Sequence, residues 1–442
     1  MMEAAAVAAP LPSRVADRAL APLLTLLLVA LMTSITLVGI VTGLIIVAGL
    51  LRLTDPALRA RDRAPLAWSL LAFAAVTLLS ALHAERPTVA LFESKQLLGI
   101  AIFLAAVNGF DGGDDIRRAL RWWVVAVAVV CAHAIVQVWA CRTGVPLPDW
   151  AAWMLRVRLD QCRANPLFRA KGFFSIYMTL GGSLLIGLSL ILAPIALGAR
   201  TWRRPSLATG VLAAIALALT YVRSAWLGLG VAVVVLAGLT RRYALLLVLL
   251  VATVLALVVS SSLQTRLLSM TDRTDPSATE RMYFWAAGWH MVRDAPLLGL
   301  GPGGVKRHYP EYRDPAARRP GTGHLHNNLI QIAAERGLLG LAAWLAIWVA
   351  FFVRAGRIYA ALPAARSEDR ALVAGSLAAV AGFLVAGLFE YNFGDSEVIG
   401  LLWVVMAFPF VLEGKAVREA SGEARFPDAG ETAGISPGRS DG

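Results

Sequence analysis

Charge is what this chain has least of. Only 16% of its 442 residues are Asp, Glu, Lys or Arg, against 58% hydrophobic. Leu, Ala and Val run in stretches too long for a soluble core, which excludes a soluble enzyme and implies an all-α polytopic membrane protein. Soluble length-per-domain arithmetic therefore does not apply. The expected organisation is one membrane domain over residues 1–413 and a short tail, 414–442, whose Gly, Pro, Glu and Arg content reads as disordered. Cysteine is also scarce, with three residues in no metal-binding pattern. Cys131 lies inside an apolar run and reads as a small core residue. Cys141 and Cys162 flank an outer loop and can pair in an oxidising compartment, although spacing alone does not supply the geometry. No cleavable leader is expected; the first span follows Arg14 and Arg18 and reads as an uncleaved anchor. The formal net charge is +12. With no basic domain outside the membrane to grip a duplex, nucleic acid is excluded. Anionic lipid head groups or a phosphorylated substrate fit that charge better.

What the chain does have is apolar helix. Runs at about 20–35, 36–52, 65–83, 88–107, 118–140, 174–197, 205–221, 224–239, 242–260, 325–353, 370–389 and 396–413 predict about 12 spans, at roughly 20 residues each. The first two share one stretch and fit either one long tilted helix or a hairpin; the even count given by the hairpin makes the loop charges agree. Short loops then place Arg52, Arg59, Arg61, Arg63, Arg117, Arg118 and Arg121 on one side. Arg200, Arg203, Arg204, Arg241, Arg242, Arg354 and Arg357 continue the series. The positive-inside rule makes that side, and both termini, cytoplasmic. Two longer segments, about 142–173 and 261–323, face outward. Their basic residues cluster near span ends and alternate with Trp, Tyr and Phe, as a site for a phosphate-bearing amphiphile would require.

Six histidines are present, and two of them open a late span in Gly321-Thr-Gly-His324-Leu-His326-Asn327-Asn328. The sequence places His326 in the first helical turn, where free N–H groups and the dipole create positive potential. A neutral ring there can act as general base, and the same field attracts an anionic leaving group. His324 and Asn327 are supporting candidates. No Cys or carboxylate pair adjoins the motif, so no metal site is expected. Arg223 interrupts apolar sequence between two spans, a costly position that defaults to a functional reading. Lys95 sits about two turns into the fourth span, within reach of Glu93 or a substrate phosphate. Arg169, Lys171 and Gly172 close the first outer loop, and Arg281 begins an amphipathic segment in the second. The run Gly299-Leu-Gly301-Pro-Gly303-Gly304 follows no strand, so it reads as an elbow between loop helices rather than a dinucleotide site. Glu390 and Asp395, at the last outer turn, can line the same cavity or cap helices.

These residues resemble the O-antigen ligase and O-antigen polymerase superfamily of bacterial envelope glycosyltransferases. The resemblance rests on His326-Asn327, nine residues, then Gly337-Leu-Leu-Gly340. Arg169-x-x-Gly172, Arg223-Ser-x-Trp226, Arg281 with Trp285, and the 296–304 glycine run add to it, from about residue 165 to 412. It implies a C-type glycosyltransferase-like membrane domain with two periplasmic loops, the larger partly helical. The implied activity is O-antigen ligase: transfer of polysaccharide from undecaprenyl diphosphate to the lipid A core, in the periplasmic leaflet of the inner membrane. No cofactor, metal or nucleotide is implied. In that light His326 is the base, while Arg223, Arg281, Arg169 and Lys95 bind the donor pyrophosphate, with Asn327, His324 and Lys171 in support. An O-antigen polymerase or a protein O-oligosaccharyltransferase remains open as an alternative. A transporter of anionic amphiphiles is disfavoured by the absence of an internal repeat.

Overall fold

The computed structural model describes residues 11–145, 148–156, 162, 168–199, 203–269 and 275–421. Among them the regular structure is helical, because in hydrocarbon a helix satisfies every backbone donor and acceptor internally. Nine helices are long and apolar enough to cross a membrane. A tenth candidate is the pair Ala244–Val259 and Ser261–Leu268, bent by 113°. Ala67–His83 and Leu207–Thr220 are shorter apolar helices, so each of the twelve apolar runs contains helix. Ser34 settles the first two: extended at φ −157°, it caps Ile35–Leu53 by accepting from Leu37 N. The chain turns back there, and Arg52 Nε meets Asp17 Oδ1 at 2.7 Å across the open end of the hairpin.

The centre of the bundle is built from Tyr177–Leu197, Ser367–Ala386 and Ser396–Ser421, the spans with most of their residues buried. Small residues allow it. A Cβ on Gly228 would come within 2.5 Å of Gly382 O, so helices Arg223–Thr240 and Ser367–Ala386 touch backbone to backbone. Ala244–Val259, by contrast, buries no residue and lies at the periphery. The helix Ser396–Ser421 runs through 414–421, where the sequence predicts disordered tail. The remainder of that predicted tail, 422–442, lies outside the described residues, as do Arg158, Asp160 and Arg163 of the smaller loop, and Arg200.

The two ends of the bundle carry different chemistry. At one end Arg63 and Arg354 both pair with Glu413, at 2.6 and 3.0 Å. Arg117 meets Asp369 at 2.9 Å, and Tyr359 OH donates to Leu239 O. Among the described residues, the arginines of three short loops, Arg63, Arg117 and Arg354, thus make ion pairs at this end. At the other end lie both longer segments. Cys141 and Cys162 form a disulfide there, and Gln137 holds the following strand of chain by accepting from Gly172 N at 2.9 Å and donating to Leu155 O at 2.7 Å. The larger segment is partly helical, with Pro276–Asp294 and Gly304–Tyr312.

One irregularity positions everything at this end. The long helix Asn328–Ala361 breaks at Gly337, which sits at φ 67°, ψ −177°. The glycine elbow threads the break: Leu300 N and Gly301 N donate to Ala334 O and Glu335 O, and Leu338 N donates to Pro296 O, all at 2.8–2.9 Å. Backbone groups released by the break are thus re-paired with the loop, the condition for irregular backbone near a membrane.

Candidate active site

His326 stands just outside the helix. Asn327 is the cap, accepting from Ile330 N at 3.1 Å and donating from Nδ2 to Leu388 O at 2.8 Å. The helix begins at Asn328, so the expected first-turn position of His326 is corrected by two residues. His326 has φ 53°, in the left-handed region, a strained conformation for a bulky side chain that its surroundings must impose. They are Phe284, stacked at 5.7 Å, and His324, edge-on at 4.3 Å. What faces the ring is a carboxylate: His326 Nδ1 lies 2.9 Å from Glu390 Oε1 and 3.1 Å from Oε2. An ionised carboxylate only accepts, so Nδ1 carries a proton, and in the neutral tautomer that this selects Nε2 holds the lone pair.

Glu390 is buried. Burial alone pushes its carboxyl up, but the His326 hydrogen bond and the nearby His324 and Arg281 outweigh it and hold the group below the usual carboxylate value. Arg281 Nη2 is 3.9 Å away. His324 is pushed down to about 4, first by burial and then by His326 beside it. It is thus a neutral ring at neutral pH, with its buried Nδ1 unpaired.

Glu390 also borders a cavity of about 730 Å³. Four guanidinium groups line it, those of Arg169, Arg223, Arg266 and Arg281, with Trp285 and Phe389 as apolar wall. Arg169 lies over the Tyr177 ring at 4.5 Å. Arg223 donates from Nη1 to Ser269 O and Oγ at 2.7 and 2.9 Å, and its Nη2 is 3.5 Å from Asp275, which also faces Arg266 at 3.8 Å. Four cations against Asp275 and Glu390 leave an excess of two positive charges, a cradle for a multiply charged anion.

Three of the four basic residues expected to bind a diphosphate are thereby brought together: Arg169, Arg223 and Arg281. Lys95 does not join them. Its side chain is 63% exposed, 3.8 Å from Glu93, and outside the cavity lining. Lys171 lies 6.0 Å from the Phe168 ring and is also outside the lining. Arg266 was not singled out, since one arginine in a loop with nine basic residues carries no mark. Glu390 was noticed only as a possible lining or capping carboxylate.

His324, His326 and Glu390 offer three ligand atoms within 4.8 Å of one another. The carboxylate missing from the local motif is supplied by the fold. Three such ligands can hold a divalent cation with an open position, but Arg281 beside the same carboxylate opposes added positive charge.

Fold and site together define a polytopic helical membrane protein with a His–Glu dyad at the edge of an arginine-lined cavity. Residues 208–345 match the family described as O-antigen ligase, and across this segment the chain is similar to that family. The matched segment contains Arg223, Arg266, Arg281 and both site histidines; Arg169 and Glu390 lie outside it. In general terms this gives an activity of O-antigen ligase or polymerase type, that of a glycosyltransferase-like membrane enzyme. No curated protein matches the chain.

Proposed function

We propose that the protein is an O-antigen ligase that transfers glycan from undecaprenyl diphosphate to the lipid A core, with inversion at the transferred sugar. The observation that carries this is the dyad beside the arginine cavity. In the proposed step the acceptor hydroxyl oxygen attacks the anomeric carbon as the bond to the diphosphate oxygen breaks. The hydroxyl proton passes to His326 Nε2, and the leaving diphosphate takes the bonding electron pair. Glu390 stabilises the imidazolium that forms, as carboxylates do beside catalytic histidines. Arg223, Arg281, Arg169 and Arg266 hold the diphosphate and offset its growing charge. His324 and Asn327 support the ring and the helix cap. The leaving group supplies the driving force, so neither nucleotide nor metal is required. The disulfide at the site end and the arginine loops at the other support a periplasmic site in the inner membrane, with cytoplasmic termini. A polymerase would use the same residues, with a second lipid-linked glycan as acceptor.

A reconstituted assay tests this. Purified protein receives undecaprenyl-diphosphate-linked glycan, with or without lipid A-core, in EDTA. Glycan-capped lipid A-core, formed only with that acceptor and undiminished by EDTA, is expected. Longer lipid-linked glycan formed without it would make the enzyme a polymerase. His326→Ala should abolish transfer in a protein that still folds; near-normal turnover would remove the base role.

A further inference from the structure

The same end of the bundle contains an ion pair that the proposed chemistry does not use. Glu335 and Arg336 lie beside the break in the helix Asn328–Ala361, 4% and 1% exposed, with Arg336 Nη1 3.1 Å from Glu335 Oε2. A buried pair of this kind is weak evidence for stability, because desolvation offsets its attraction and apolar residues of similar volume serve as well. Its connections suggest another use. On one side, Glu335 Oε1 accepts from Gln331 Nε2 at 2.9 Å, and Gln331 Oε1 accepts from Leu325 N at 2.8 Å. On the other, Arg336 Nη2 donates to Gln96 Oε1 at 2.8 Å, and Gln96 Nε2 donates to Tyr391 OH at 2.7 Å. One end of this chain of bonds is the residue before His326. The other is the residue after Glu390.

We propose that the Glu335–Arg336 pair, acting through Gln331 and Gln96, is the positioning element that sets the His326–Glu390 geometry. The two segments of the dyad are 64 residues apart in sequence, and each is otherwise a short non-helical stretch. Direct ties join their backbones on either side of Glu390: Asn328 N to Gly387 O at 2.7 Å, Asn327 Nδ2 to Leu388 O, Asn328 Nδ2 to Asn392 Oδ1 at 2.6 Å, and Phe393 N to Asn328 Oδ1 at 3.2 Å. Those ties all run through the Asn327–Asn328 cap, and none reaches Leu325 on the other side of His326. The ion-pair network provides a second anchor, spanning from Leu325 to Tyr391 through two glutamine bridges and the planar fork of Arg336. Glu335 has a further duty, accepting from Gly303 N at 3.0 Å, so truncating it would disturb the glycine elbow too. The links beyond the pair are therefore the places to cut.

The inference rests on the dyad reading, and its test separates the two. Protein labelled with ¹⁵N-histidine is examined for the Nδ1–H proton of His326, assigned by its loss in His326→Ala. Gln331→Leu cuts the network on the histidine side and Gln96→Leu on the glutamate side. Each should shift that resonance or lose it to exchange, with the thermal midpoint near wild type. In the transfer assay each should lower kcat on the order of tenfold to a hundredfold, as expected for slight misplacement, with the donor KM within about twofold. Tyr391→Phe, which deletes only the terminal hydroxyl, should act in the same direction and serves if a glutamine variant misfolds. An unmoved resonance in the folded variants, or kcat falling only with the folded fraction, would overturn the proposal. Because the resonance is read without substrate, that result is distinct from loss of the base role, which an active His326→Ala protein would show.

Discussion

A carboxylate that accepts from Nδ1 does two things for an imidazole: it fixes the tautomer and it compensates the charge that appears when Nε2 takes a proton. Glu390→Gln keeps the size and an acceptor oxygen but removes the charge, and its amide can also turn and donate to the ring. Transfer in that variant should fall on the order of a hundredfold or more, with the donor KM little changed; activity within a few-fold of wild type would make Glu390 a mere packing partner. Arg223 poses a different residue-scale question, because its fork is already divided between Ser269 and Asp275. Lysine offers a point charge without that fork. Arg223→Lys should therefore both loosen the Ser269 end of the bent helix pair and weaken anion binding, seen as a rise in donor KM with a strong loss of kcat/KM. Full activity would reduce Arg223 to an interfacial anchor. The histidine was legible in the sequence because imidazoles at a span entrance are conspicuous in so apolar a chain. Its partner was not, because only the docking of the turn after Ala386 against the Asn327 cap brings Glu390 near, and nothing local in either stretch encodes that. Lys95 stands apart from the cavity for a related reason: the fourth span, Pro87–Gly109, is interrupted by a turn of 3₁₀ helix, Ser94–Leu97, which leaves the lysine exposed beside Glu93.

At the scale of elements, helices were legible and their interruptions were not. Hydrocarbon requires internal hydrogen bonding, so apolar length translates directly into helix. A break needs a partner to receive the freed groups, and that partner is read only in three dimensions. Gly337 shows why the motif has a glycine ten residues after Asn327. At φ 67° any side chain is strained, and a Cβ there would fall 2.0 Å from Leu297 O. Gly299 is the counterpart, where a Cβ would meet the Glu335 carbonyl carbon at 2.4 Å. The glycine run is thus an elbow, as its lack of a preceding strand implied, but one that threads a helix rather than only joining two loop helices. Gly337→Ala should cost on the order of 1–3 kcal/mol from backbone strain alone, with the clash adding to it. The expected result is a lowered thermal midpoint in detergent together with lost transfer, since the break carries both the elbow and the Glu335–Arg336 pair. Gly230→Ala, where no atom lies within 4 Å of the added carbon, is the control and should leave both measurements near wild type. Equal behaviour of the two variants would mean that the threaded break is not maintained in the protein.

For the whole molecule the question is orientation, and two independent kinds of residue bear on it. Arginines that pair with Glu413 and Asp369 gather at one end of the bundle, where the positive-inside rule expects the cytoplasm. The disulfide Cys141–Cys162 lies at the other end with the dyad and the cavity, and disulfides persist in oxidising compartments. Neither observation depends on the other, since charge bias acts during insertion and thiol oxidation follows from the compartment reached. Cys131 is the remaining cysteine; it is free and buried, and a thiol in apolar surroundings resists reagents that must reach and react with the thiolate. Labelling intact cells with a membrane-impermeant maleimide should accordingly give no adduct until a mild impermeant reductant is added, after which Cys141 and Cys162 react. A reporter fused after Ser421 that is active only in the cytoplasm should be active in the same cells. Labelling that requires permeabilised inner membranes would place the dyad on the cytoplasmic side and would undo the reading of a periplasmic ligase while leaving the fold untouched.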